Sequence, residues 1–215
     1  MAHLSGDPQL VSAFIDGSDI HTRTASRIYG VSEEEVTKEM RSSAKTINFG
    51  VMYGQGARAL SGQLRIPVEE AKGFIDEYFE KYPGIKEFID SSIESAREKG
   101  YAETLLGRRR PLPDINSSNG RFRSFSERIA VNMPIQGTAA DLIKIAMIKI
   151  DGEINEKGLG SRMILQVHDE LVFDVIRDEL SEMEEIVKRL MESAIDLKVP
   201  LKVDMGSGNN WLEAH

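Results

Sequence analysis

A chain of 215 residues with 40% hydrophobic content can bury a sizeable core, which excludes a disordered class. No apolar run approaches the roughly 20 residues of a membrane span, the first residues lack the basic and apolar regions of a signal peptide, and zero cysteines exclude disulfides and thiolate metal sites. The net charge of −8 argues against a nucleic-acid partner only as an average, because Thr104–Arg128 holds six arginines against Asp114 and Glu127 and is +4, leaving −12 elsewhere.

In chain order, Asp19 is placed to cap a helix ending near Tyr29 before Gly30, and Ser32 with Glu35 forms a capping box for a short helix. That turn leads into a helix over Arg41–Tyr53. Here Arg41, Lys45, Phe49 and Tyr53 recur at a spacing of four and share one face. The stripe is cationic at one end and aromatic at the other. It suits a ligand with phosphates at one end and a sugar and base at the other. The same spacing also describes an ordinary amphipathic helix with a solvated basic end and a buried aromatic end. Glycines 54, 56 and 62 predict a looser connection. Pro67 and Pro83 open helices at their first turns, running to about Tyr82 and Lys99, and Gly100 ends the second.

From Gly107 the character changes to a polar, basic loop through Arg108, Arg109, Arg110 and Asn116–Gly120. Ser126 starts a long helix to about Ile150, interrupted by Pro134. Met163–Val167 and Leu171–Val175 are apolar runs around His168, Asp169 and Glu170, predicting a β-hairpin with an acidic tip. A helix over about 178–197, a strand over Val199–Met205 and a tail anchored by Trp211 complete the prediction. The fold class is α+β: residues 1–110 form a helical subdomain, and residues 111–215 carry a small antiparallel sheet backed by helices.

Adjacent carboxylates at a hairpin tip, Asp169 and Glu170, are a candidate divalent-metal site, since hard cations take oxygen ligands. An exposed polar turn gives the same pattern. His168 lacks a second histidine at ligand spacing and is suited instead to donate to a nucleic-acid backbone. Arg128, Asn132 and Gln136 are again four apart on an otherwise apolar helix, which suits contacts to a duplex. Helix–helix hydrogen bonding accounts equally for the two amides. Arg108, Arg109 and Arg110 are phosphate-binding candidates, although such runs are often solvated loops.

The order of these segments is more specific than any one of them. Asp19-Ile-His21-Thr, Arg41-x3-Lys45-Thr-Ile-Asn-Phe-Gly-x2-Tyr53-Gly, Gly107-Arg-Arg-Arg-x-Leu-Pro, Asn132-Met-Pro-Ile-Gln-Gly-Thr-Ala-Ala-Asp141 and Gln166-Val-His-Asp-Glu170 follow one another. This series resembles the C-terminal part of family A DNA polymerases, the bacterial DNA polymerase I type, over essentially the whole chain. The resemblance implies that residues to about 110 are fingers and the rest is the later palm of a right-handed polymerase. Such an enzyme copies a primer-template DNA from dNTPs with two Mg²⁺ ions, in replication and repair, and works in the cytoplasm on the nucleoid.

By the same resemblance, Arg41, Lys45 and His21 hold the incoming triphosphate, and Lys45 also serves the leaving pyrophosphate. Phe49 packs on the nucleotide's sugar and base and is the form associated with rejecting dideoxynucleotides. Tyr53 occupies the templating position when the fingers are open. Asp169 bridges the metals with Glu170 as auxiliary, His168 touches the primer end, and Arg128, Asn132 and Gln136 line the primer-template. Ser42 departs from the second arginine usual in the family.

The family places an Asp-Tyr-Ser-Gln-Ile-Glu-type strand, carrying the other metal-bridging aspartate, just before its Leu-Ser-Gly-Asp segment. Here that segment begins at Leu4, and Met1 falls where the strand would end. Two Mg²⁺ bring four positive charges against at most two negative ones from Asp169 and Glu170. The expectation is therefore a chain inactive alone, needing an N-terminal palm and thumb portion in trans or outside this sequence, with exposed apolar sheet surface and a tendency to self-associate. The alternative is a non-catalytic DNA- or nucleotide-binding module derived from a polymerase.

Overall fold

The computed structural model describes residues 1–214. Helix dominates and is joined by two small antiparallel hairpins, in keeping with the α+β expectation. The chain parts into two compact units, Met1–Ile135 and Gln136–His215. That division falls inside a helix, downstream of the change in composition at Gly107. Among the described residues no helix is long and apolar enough to cross a membrane.

In the first unit, α1 (Ala2–Ser5) and α2 (Pro8–Ile15) flank Asp7, which is fully buried. The Asp7 carboxylate accepts from the Leu10 N–H at 3.0 Å and from the Gly84 N–H at 3.0 Å. One side chain thus caps α2 and also satisfies the first turn of α7 (Pro83–Lys99). A Cβ on Gly84 would meet the Asp7 Cα at 2.9 Å, so glycine at this position is a packing requirement.

Helix α3 (Ile20–Tyr29) is capped by Asp19 and stopped by Gly30 at φ 65°, as predicted. The Glu35 carboxylate accepts from both the N–H and the hydroxyl of Ser32 around a 3-10 turn, Glu33–Glu35. Thr37 then caps α4 (Lys38–Met52). Ala44, Ile47, Asn48 and Val51 form its buried face, spaced as one helical side. Ile47 and Val51 join a core with Leu60 and Ala71 from the next two helices.

The connection expected through glycines 54–62 is instead α5 (Ala57–Leu64). Leu60 is completely buried, and that burial overrides the helix penalty of Gly62. Pro67 caps α6 (Val68–Lys81) from just outside rather than opening its first turn.

The predicted basic loop is corrected in part. Residues Tyr101–Glu103 (β1) pair antiparallel with Arg109–Pro111 (β2), so Arg109 and Arg110 are strand residues. Three-residue strands are too short to show alternation, and an Arg109–Glu103 cross-strand ion pair at 2.6 Å joins them. Helix α8 spans Gly120–Lys157 rather than 126–150 and continues through Pro134. The Asn119 side-chain oxygen accepts from the Arg121 N–H at 3.0 Å, giving an earlier start than Ser126.

In the second unit, Ile143, Ala146, Ile150 and Ile154 of α8 pack on Met183, Ile186, Val187 and Met191 of α9 (Leu180–Glu192). The hairpin of β3 (Arg162–Val167) and β4 (Glu170–Asp174) lies against this core through Met163, Leu171 and Phe173. On β3, Ile164 is 61% exposed and Leu165 is 44% exposed.

Two late predictions fail. Val199–Met205 is not a strand. Leu201 and Val203 are half-buried in alternation, but the Val203 N–H donates to the Glu192 carboxylate at 3.2 Å and not to a neighbouring strand. Alternation alone does not make a ladder when no strand lies alongside. Trp211 is 46% exposed, and the tail turn into α10 (Trp211–Ala214) is held by bonds from Asn209 and Asn210 to Glu213.

Candidate functional site

In the first unit, burying Ala44, Ile47, Asn48 and Val51 turns the opposite side of α4 outward. Arg41, Lys45 and Phe49 are exposed in sequence along it, and Tyr53, half-buried, ends the helix. Phe49 stacks on Tyr53 with ring centres 6.3 Å apart at 11°, and the His21 ring lies 5.7 Å from Phe49. The structure thus gathers His21, Arg41, Lys45, Phe49 and Tyr53 into one cationic and aromatic surface.

Asp19 joins this surface, which its capping role alone does not reveal. Its carboxylate accepts from Arg41 Nε at 2.5 Å while capping α3 through the N–H groups of His21 and Thr22. Partial burial pushes its pKa up, but the Arg41 guanidinium, the Thr22 hydroxyl and these two N–H groups outweigh that and hold it well below the usual carboxylate range. Burial pushes the His21 imidazole down, the positive charges of Arg41 and Lys45 push it further, and Asp19 opposes them. The balance favours the neutral ring over the imidazolium. Lys45 makes no ion pair among the described residues, so its ammonium is the uncommitted cation of the face.

A depressed pKa in the folded state contributes stability that is present above the unfolded value, near 3.9, and is lost as pH falls through the folded one. Asp19→Asn is therefore expected to lower the thermal unfolding midpoint at pH 7. The gap to wild type should narrow steadily below about pH 4. Thermal melts of both proteins from pH 7 to pH 2 check this, and a gap independent of pH would contradict the role given to Asp19.

The basic candidates are not equivalent. Arg108, Arg109 and Arg110 are all exposed, and Arg109 also pairs with Glu103 and lies over the Tyr101 ring at 4.7 Å. At the start of α8, Arg128 lies 6.0 Å over Phe125, and Phe122 and Phe125 are both more than half exposed. Asn132 Oδ1 is buried without a hydrogen-bond partner among the described residues. Gln136, four residues further along α8 and the first residue of the second unit, is exposed.

In the second unit, Val167 pairs with Glu170, leaving His168 and Asp169 as a two-residue tip. His168 sits at φ 52°, a left-handed backbone that disfavours a side-chain-bearing residue by about 1 kcal/mol. Two-residue hairpin turns require such a backbone at a central position. Asp169 is exposed and Glu170 half-buried. Their oxygens suit one hard cation that draws its remaining ligands from water and phosphate. Among the described residues, no group of three or more His, Cys, Asp or Glu side chains is placed to hold a metal. A pair of ions about 4 Å apart therefore needs carboxylates beyond these.

The family model for DNA polymerase family A matches residues 1–213. The chain belongs to this family. It is 51% identical over 215 residues to DNA polymerase I of Streptococcus pneumoniae serotype 4 (strain ATCC BAA-334 / TIGR4), covering 100% of this chain and 24% of that protein. It is 50% identical over 214 residues to the thermostable DNA polymerase I of Thermus thermophilus, covering 100% of this chain and 26% of that protein. Among solved structures, the POL domain of Pol1 from M. smegmatis, in complex with DNA primer-template and dNTP, superposes with a TM-score of 0.94 at 46% identity. That match covers 99% of this chain and 38% of the other. The chain thus spans about a quarter of the length of the curated family A relatives it matches. Family A DNA polymerases use metal ions.

Asn48, Asp19 and Phe125 are the site neighbours that residue-type reasoning passed over. Asn48 stands inside the Lys45–Tyr53 motif, and its signal is a polar residue on the buried face of α4.

Proposed function

We propose that this chain forms the nucleotide-binding fingers and the later palm of a template-directed DNA polymerase. In this reading it transfers nucleotides from dNTPs to a primer 3′ end together with further polymerase sequence. The observation that carries the reading is the outward face of α4: exposed Arg41 and Lys45 lead into Phe49 stacked on Tyr53, with His21 alongside. Charge for a triphosphate stands beside flat apolar surface for a sugar and base. Phosphoryl transfer depends on positioning and charge neutralisation, which such a face supplies.

The roles follow the side chains. Lys45 neutralises the triphosphate and hands a proton to the leaving pyrophosphate, while Arg41, held by Asp19, orients it. His21 donates a further hydrogen bond. Phe49 packs on the nucleotide, and Tyr53 fills the templating position when no template base is there. Arg108, Arg110, Arg128, Asn132, Gln136 and His168 contact primer-template DNA, with Arg109 bracing its hairpin. Asp169, helped by Glu170, would hold Mg²⁺. Mg²⁺ would polarise phosphate oxygens and stabilise the attacking and leaving oxygens. The remaining carboxylates come from polymerase sequence joined to this chain or added in trans, and the enzyme works in the cytoplasm on nucleoid DNA.

The test is primer extension with Mg²⁺ and all four dNTPs, by these 215 residues alone and after adding an N-terminal polymerase portion of a relative. Extension should appear only in the mixture and disappear with Asp169→Ala. Extension by the 215 residues alone would refute the need for further carboxylates. A mixture that associates and binds DNA without extending it would favour the non-catalytic binding module.

A further inference from the structure

Asn48 is only 2% exposed, so its amide must find its partners within the protein. Nδ2 lies 3.0 Å from His21 Nδ1 and 3.5 Å from the Ile20 carbonyl oxygen, while Oδ1 lies 3.0 Å from the Thr24 hydroxyl. In this orientation the amide nitrogen faces His21 and the Ile20 carbonyl, which also accepts from the Thr24 hydroxyl at 2.8 Å. An amide nitrogen has no lone pair to offer, so His21 Nδ1 must accept. The single proton of the neutral ring is then on Nε2.

We infer that Asn48 is a positioning residue that fixes the His21 tautomer, so that the imidazole presents Nε2–H as a neutral donor to a phosphate oxygen of the bound nucleotide. The inference rests on the nucleotide reading above. It changes what His21 contributes. An imidazolium would place Nδ1–H against the Asn48 N–H, two donors facing each other, and would add a third positive charge beside Arg41 and Lys45. The groups acting on the ring divide accordingly: Arg41 and Lys45 from α4 and the burial of the ring disfavour the charged form, and Asp19 from the start of α3 alone favours it. Two cations supply the attraction for phosphate, and the neutral ring adds a directional bond whose donor survives at alkaline pH.

Nitrogen NMR of the imidazoles in the free chain tests the tautomer, with the His21 signals assigned by their loss in His21→Gln. Wild type should show the Nε2–H form. Asn48→Asp, whose carboxylate accepts, should move the proton to Nδ1, and Asn48→Ala should let both forms populate. Binding of dATP with Mg²⁺ supplies the functional arm. His21→Ala should weaken it about tenfold. Asn48→Ala should weaken it less, and should add nothing in the His21→Ala background.

Two results overturn the inference: an Nδ1–H ring in wild type, or an Asn48→Ala loss that persists in full without His21. If the ring is as stated but neither wild type nor Lys45→Ala binds dATP measurably, the nucleotide reading fails instead, and the positioning role falls with it. Binding that depends on Lys45 while His21 carries its proton on Nδ1 overturns the inference alone.

Discussion

Asp7→Ala is expected to destabilise the first unit by about 3 kcal/mol, because it strips a partner from one buried and one partly buried N–H group at once. Most helix caps serve one helix. Here a single buried carboxylate accepts from Leu10 at the start of α2 and from Gly84 in the first turn of α7. An ordinary cap is worth about 1 kcal/mol, and each buried donor left without a partner costs about 1–3 kcal/mol. Asp7→Ser keeps a cap for Leu10 but is too short to serve both donors, so it should fall between alanine and wild type. Gly84→Ala should destabilise by a different route, since its new methyl would meet the Asp7 Cα at 2.9 Å. Urea unfolding followed by circular dichroism measures all three. A loss below about 1 kcal/mol for Asp7→Ala would mean that water replaces the carboxylate at both helix ends.

Lys45→Ala should reduce kcat/KM for dNTP incorporation by the completed polymerase by about 10²–10³-fold, on the proposed role of Lys45 in neutralising charge that develops in the transition state. Arg41→Ala should cost less. Its guanidinium already spends one donor on Asp19, whereas Lys45 has no ion pair to give up among the described residues. Lys45→Arg retains charge but replaces a compact ammonium with a planar fork, and should recover only part of the rate. Single-turnover incorporation opposite a defined template base separates these outcomes. A Lys45→Ala enzyme within about threefold of wild type would remove Lys45 from the chemistry and leave α4 as a binding surface only.

How much of the site is legible before folding depends on how local each interaction is. The spacing of Arg41, Lys45, Phe49 and Tyr53 is a property of one helix, and so is the capping of α3 by Asp19. Their helices are bounded by signals within a turn of their ends: Thr37 before α4, Gly30 after α3 and Gly100 after α7. The His168–Asp169 tip is equally local, set by two apolar runs and a two-residue turn.

Tertiary contacts decided the rest. Helix α5 forms despite its glycines because Leu60 is buried between neighbours, and residues 199–205 remain unpaired although they alternate. Arg109 pairs with Glu103 and lies over Tyr101 across a hairpin too short to announce itself. The sequence by itself determined the family, the locally capped helices α3, α4, α6 and α7 and the stripe of Arg41, Lys45, Phe49 and Tyr53, since helical spacing and capping act over four residues or fewer. Only the folded chain decided that Asp7 reaches Gly84 across 77 residues, that Arg41 is tied to Asp19 and that Asn48 meets His21. Which buried polar group finds which partner depends on how helices distant in sequence pack together, and no local spacing encodes that.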